Sequence, residues 1–202
     1  MHYDFVDIGT CDFDTSIDNI NKFNKLNILL VEPLTYYLDK LPNYPNVVKD
    51  NVGISDTSGT VKLYYLPESV IQAYNLPKYL AGCSKIGHRH PLTDNVLDKS
   101  NLSLELVESA DIDIITFDML CQKHNIGSIG SLKIDTEGHE EYILPNVLEK
   151  IKNGFQIDRI KFENQQSLGN WKYLIQLTYE FTCHGYCVLE QTEFDITLEK
   201  IA

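Results

Sequence analysis

Three acidic residues stand where α/β proteins do chemistry, each at the end of a short apolar run: Asp7 in FVDIG, Glu32 after ILLV, and Asp135 after LKI. The carboxyl end of a strand faces the crevice in which open α/β sheets bind ligands. Asp7, beside the turn at Gly9, suits a cationic or hydroxyl-rich ligand better than a pyrophosphate. Glu32 is placed to accept hydrogen bonds from both hydroxyls of a ribose. Ser55 and Asp56 close another apolar stretch within reach of an adenine amino group, although both are also common turn formers. Asp135 shares a strand face with Lys133, and charges buried without partners are costly, so this pair must find partners or line a cleft. Asp135 is therefore the first candidate for a proton acceptor. His139 and His88 follow, because imidazole titrates near neutral pH.

Some chemistries are excluded. The chain has no G-x-G-x-x-G turn and no phosphate-binding loop of the G-x-x-x-x-G-K-[ST] type, so a dinucleotide or nucleoside triphosphate lacks its cradle. A net charge of −12 over 202 residues, with no basic stripe, argues against nucleic acid or an anionic membrane as main partner. A small molecule fits better. No signal-peptide pattern or membrane-length apolar run appears, and the five scattered cysteines read as reduced thiols, so a cytoplasmic location is expected. Cys183 and Cys187 with His184 form too few ligands for zinc, and Cys83 with His88 and His90 is a nonspecific set, so no metal is expected.

A sheet must position these groups. Phe5–Ile8 and Ile28–Val31 read as strands, and the unbroken apolarity of the second suits a parallel strand buried on both faces. Gly9 lets the backbone turn with positive φ and approach a ligand. Asp14, Thr15 and Ser16 are cap types ahead of Ile17, Ile20 and Phe23 on one helical face. A short helix over 35–41 is followed by a third strand over 47–54, whose turn at 55–59 makes a hairpin with a strand over 60–66. Residues 67–110 are weakly periodic and read as an insertion or flap over the crevice. A helix over 114–120 leads to a Gly-Ser turn at 127–131 and a fourth strand at 132–134. Gly138 again permits a close turn, and Glu140 and Glu141 open a helix over 142–151. A fifth strand over 157–162 brings Lys161 and Glu163 beside Lys133 and Asp135. A helix over 171–182 and a hairpin of strands 185–189 and 194–201 complete a single α/β domain over 1–202, with a mostly parallel central sheet and a C-terminal antiparallel hairpin.

FVDIGT, VEP at Glu32, GISDTSG at 53–59, LKIDTEGHEEYIL at 132–144 and KFENQ at 161–165 occur in the order seen in FkbM-type methyltransferases, which the chain resembles over nearly its whole length. KIDTEGHE is the most specific piece and is similar to that family's K-x-D-x-E-G-x-E signature. The resemblance implies a Rossmann-like methyltransferase that uses S-adenosylmethionine, usually on a hydroxyl oxygen of sugars or natural products. It further implies that Asp7, Gly9 and Thr10 form the methionine-side loop, Glu32 binds ribose, Ser55 and Asp56 flank adenine, and Asp135, Glu137 and Gly138 match the signature. The chain departs from the family's D-x-G-A-N-x-G loop, having Cys11 and Phe13 where asparagine and a second glycine usually stand. Because the chain opens almost at the first strand, enclosing the acceptor is expected to fall to residues 67–110. The expected activity is O-methylation of a small-molecule or glycan hydroxyl. The alternatives are a non-catalytic S-adenosylmethionine-binding domain acting through a partner, a metal-assisted enzyme using Asp135, Glu163 and Asn164, and, more weakly, RNA cap methylation.

Overall fold

The unbroken apolar run Ile28–Val31 is buried along its whole length, as a strand with neighbours on both edges and cover on both faces must be. A computed structural model describes residues 1–11, 25–41, 43–164 and 170–201. The helix expected around Ile17, Ile20 and Phe23 lies outside the described residues, as does Gln165 of KFENQ.

In chain order the elements are β1 (His2–Ile8), β2 (Ile28–Val31), α1 (Thr35–Lys40), β3 (Val47–Asp50), β4 (Gly53–Ser55), β5 (Gly59–Tyr65) and α2 (Glu68–Ala73). Then come β6 (Lys85–Ile86), α3 (Pro91–Lys99), β7 (Glu108–Thr116), α4 (Phe117–Lys123), β8 (Ser128–Ile134) and α5 (Glu140–Lys152). The chain closes with β9 (Gln156–Glu163), α6 (Trp171–Cys183), β10 (Tyr186–Gln191) and β11 (Asp195–Lys200). One seven-stranded sheet has the order β10-β11-β9-β8-β1-β2-β3, parallel from β9 through β3, with β11 antiparallel to β9 and to β10. The α/β class, the parallel centre and the C-terminal hairpin all match the sequence expectation.

Val6, Leu29, Leu132 and Ile160, on neighbouring strands, are each 0% exposed. Burying a side chain of that size stabilises the fold by about 1.5–3 kcal/mol. Ile143, Leu144, Val147 and Leu148 of α5 and Leu174, Leu177 and Phe181 of α6 join the same core, the spacing expected of one helical face. Among the described residues no helix is long and apolar enough to cross a membrane.

The local expectations need correction in four places. Residues 47–54 are two strands, because the Asn51 side chain donates to the carbonyls of Glu32 and Pro33 and turns the chain away from the main sheet. The pieces separate: β4 runs parallel to β7 in a second sheet of order β4-β7-β5-β6, and β5 pairs with β7 and β6, so the expected hairpin does not form. The helix expected from Ile114 begins at Phe117, since Ile112 and Ile114 are buried strand residues and the Thr116 hydroxyl caps the helix by accepting from Met119 N. Residues 128–131 belong to β8 and are not a turn. Gly130 lets β8 close on β1, for a Cβ there would sit 2.9 Å from the Asp4 carbonyl oxygen.

Candidate active site

The strand order reverses between β1 and β8, because β1 leads on to β2 and β3 while β8 and β9 lie on its other side. Open α/β sheets bind ligands at such a switch point, outside the carboxyl ends of the strands. Gly9, Glu32 and Asp135 follow the three strands that meet there. The crevice has an inner chamber lined among others by Glu32, Val52, Ile54, Ile86 and His139. An adjoining chamber is lined by Thr10, Lys78, Tyr79 and Lys133, and Gly9, Cys11, Gly82, Asp135 and Glu137 line both.

Gly9 has φ +81, and a Cβ there would sit 1.8 Å from the Asp135 carbonyl oxygen. Only glycine brings β1 and β8 this close. Gly9 N and Thr10 N both donate to Val31 O, at 3.0 and 3.3 Å, and the buried Thr10 hydroxyl donates back to Asp7 O at 3.1 Å. Cys11, in the asparagine position of the family loop, is left-handed at φ +48. Its N–H donates to one Glu32 oxygen at 2.9 Å, and Leu34 N donates to the other at 2.9 Å. A carboxylate has roughly four acceptor directions, so Glu32 fixes two loops and keeps capacity for a ligand. Its burial pushes its pKa up to about 7 against the pull of those two N–H groups.

Asp7 lies beneath the floor, fully buried, and Lys133 Nζ reaches both Asp7 Oδ1 (3.8 Å) and Asp135 Oδ2 (3.1 Å). The charged pair read on the β8 face is therefore a three-membered bridge. Lys161 does not join it and pairs with Asp195 at 2.9 Å. Ser55 is buried and its hydroxyl lies 2.9 Å from His139 Nε2, whereas Asp56 is exposed and outside both chambers. His139 lines the inner chamber. Burial, helped by nearby Lys85, pushes its pKa down to about 4, so the ring is neutral at pH 7. His88 is exposed and lines neither chamber.

An acid at a strand end need not bind a ligand. Asp50, which ends β3, is buried and engaged by Lys123 at 2.7 Å and His124 at 2.6 Å, tying β3 to α4. Sequence reasoning also missed Glu140, buried at the start of α5, whose Oε1 accepts from Thr136 N (2.6 Å) and Thr136 Oγ1 (2.7 Å). Burial pushes Glu140 up to about 7. Glu140 was visible in TEGHE as an acid four residues after Thr136 at the start of a helix, but its burial was not.

Two clusters bring metal-ligand types together among the described residues: Asp135, Glu137 and Glu163, and Cys83, His90 and Glu137. Burial and the neighbouring carboxylates Glu137, Glu140 and Asp135 push Glu163 up to about 9, so it is protonated at neutral pH and the first cluster carries less negative charge than its composition suggests. Asn164, expected beside it as a ligand, is buried. In the second cluster the Cys83 thiol donates to Tyr79 O at 3.6 Å, and burial pushes its pKa up to about 12. His90 Nδ1 accepts from Leu92 N at 3.1 Å, which puts the ring proton on Nε2, the atom facing Glu137. Both donors carry protons that a metal would have to displace on binding. Cys183 and Cys187 are exposed and join neither cluster.

A family model described as the methyltransferase FkbM domain matches residues 7–194. The crystal structure of methyltransferase FkbM from Methylobacillus flagellatus KT is similar over 99% of this chain and 44% of that protein, with TM-score 0.52 and 13% identity. The chain therefore spans less than half of that protein, and the likeness is one of fold. M. capricolum TrmK, solved with S-adenosyl-homocysteine, aligns with 98% of this chain and 62% of its own length at TM-score 0.39 and 13% identity. A comparison with curated proteins finds no match.

Proposed function

The chain belongs to the methyltransferase FkbM domain family, and on that premise we propose that it is an S-adenosylmethionine-dependent O-methyltransferase acting on a hydroxyl of a small-molecule or glycan acceptor. The observation that carries the reading is the convergence of Gly9, Glu32 and Asp135 at the switch point between β1 and β8. When bound, the cofactor supplies a methyl group already activated on a sulfonium.

The residues present fit such a group. In this reading Glu32 accepts from the ribose hydroxyls with its two free acceptor directions, and Val52, Ile54 and Ile86 give the adenine an apolar wall. The turn at Gly9 and Thr10 admits the amino-acid tail close to the backbone, with the Lys133–Asp135 pair offering it both charges. Much of the barrier to methyl transfer falls when acceptor oxygen and methyl carbon are held together in a water-poor cleft. Residues 78–86 supply Gly82, Ser84 and Ile86 to the chamber wall, which supports their role as part of a flap. The acidic surface favours an uncharged or cationic acceptor over nucleic acid.

The test is transfer of labelled methyl from S-adenosylmethionine to a panel of methyl glycosides, polyols, amines and carboxylates. Label on the hydroxyl compounds alone is expected. Label confined to amines or carboxylates would overturn the O-directed reading, and no transfer to any compound would favour a binding domain.

A further inference from the structure

We propose that Glu137 is the catalytic base of the methyl transfer and that His90, buried behind it, is the residue that positions it. This rests on the hydroxyl-transfer reading above. Glu137 lines both chambers, next to Gly9 and Asp135. Its Oε2 lies 3.0 Å from His90 Nε2, and its Oε1 lies 3.9 Å from where a Cβ on Gly82, a residue of the wall common to both chambers, would sit.

Residue 137 is held at both its main chain and its side chain. Its backbone is left-handed at φ +54, a conformation that non-glycine residues rarely adopt and that persists where surroundings impose it. Lys85 Nζ donates to its carbonyl oxygen, and His90 faces its carboxylate. Lys85 and His90 both come from the segment between β5 and β7, so one strap fixes both the main chain and the side chain of Glu137.

The ring of His90 defines its role. It is 1% exposed and caps α3, with Nδ1 accepting from Leu92 N, so its one proton sits on Nε2 and faces Glu137. Nε2 makes no aligned hydrogen bond in this state, and catalytic hydrogen bonds often straighten only when substrate is bound. With Nδ1 committed to the cap and Nε2 already protonated, His90 cannot take the proton on. It aims the carboxylate. In the transfer step the acceptor O–H proton passes to Glu137 Oε1 while an oxygen lone pair forms the new C–O bond. The C–S bond breaks and leaves its electron pair on sulfur. Asp135 is a poorer choice for this role because its Oδ2 is already engaged by Lys133.

Two substitutions separate the roles of His90. His90→Asn keeps a cap acceptor at the Nδ1 position and loses the group facing Glu137, whereas His90→Gln keeps a donor at the Nε2 position and loses the cap. Single-turnover methylation, S-adenosylmethionine titration and thermal melts are measured on the full chain with the hydroxyl panel as probe. Glu137→Gln is expected to slow turnover at least about 100-fold, the low end for general-base catalysis, with cofactor Kd unchanged within twofold. His90→Asn should slow turnover about 10-fold, and His90→Gln should slow turnover less than His90→Asn while lowering Tm more than His90→Asn does. Independently of activity, nitrogen-15 NMR of the His90 ring should show a protonated Nε2 that shifts in Glu137→Gln. Turnover of Glu137→Gln within threefold of wild type, or a proton on Nδ1, overturns this inference alone. Absence of cofactor binding fails the hydroxyl-transfer reading first. Cofactor binding with no hydroxyl methylated overturns both.

Discussion

Replacing Gly9 with alanine tests the closest backbone approach in the crevice. The substitution adds a left-handed residue at φ +81 and a Cβ 1.8 Å from the Asp135 carbonyl oxygen and 2.8 Å from its carbon. The conformational part is about 1–2 kcal/mol. Overpacking adds about 1–3 kcal/mol, and here the obstacle is backbone of a central strand that cannot rotate aside. Together these give about 2–5 kcal/mol, or a fall in Tm of about 4–20 °C at the 2–4 °C per kcal/mol usual for a chain of this size. Gly185→Ala is the internal control, because Gly185 has φ +86 and nothing within 4 Å of a built Cβ. It should show only the conformational part, a fall of about 2–8 °C. Thermal melts of both variants by circular dichroism give the difference. Equal losses in the two would show that β1 and β8 do not approach as described, and would refute the reasoning.

Cys11→Asn places in the left-handed loop position a residue that tolerates it, so Tm should rise by about 1–4 °C, and a fall would contradict the loop conformation. Burial raises Glu32 and Glu140 to about 7 and Glu163 to about 9 from an ordinary 4.5, so the folded chain holds more protons than the unfolded one between those values. Their contribution to stability is full below pH 4.5 and is lost as pH rises through 7 and then 9. Melts should therefore show a higher Tm at pH 5 than at pH 8, with Glu140→Gln flattening the slope; a Tm that climbs across this range would contradict the burial. His139, pushed down to about 4 by burial and Lys85, should show ring NMR shifts that stay flat between pH 5.5 and 8, and a midpoint near 6.5 would place it in solvent.

What could be read from the sequence follows from how local its causes are. The runs FVDI, ILLV and LKI, each followed by an acid or glycine, gave β1, β2 and β8 and the residues at their ends; of the three only ILLV is unbroken, the signature that burial on both faces leaves. Residues 47–59 misled because the break between β3 and β4 is made by Asn51 reaching the carbonyls of Glu32 and Pro33, a contact distant in sequence. Glu32 was legible as an acid at a strand end, but its grip on Cys11 N and Leu34 N was not. His88 and His90 are alike in sequence. Only the cap on Leu92 and the packing of α3 distinguish an exposed ring from a buried one. Asp50 falls inside the strand expected over 47–54; the structure ends β3 there, and the approach of Lys123 and His124 at the end of α4 makes it a structural anchor.

Calorimetric titration of the wild-type chain with S-adenosylmethionine and S-adenosylhomocysteine tests the central claim most directly. Binding of both at micromolar Kd, about −8 kcal/mol, is predicted, with the heat lost in Glu32→Ala at unchanged circular dichroism. Absence of heat with either ligand from folded wild-type protein would contradict the account.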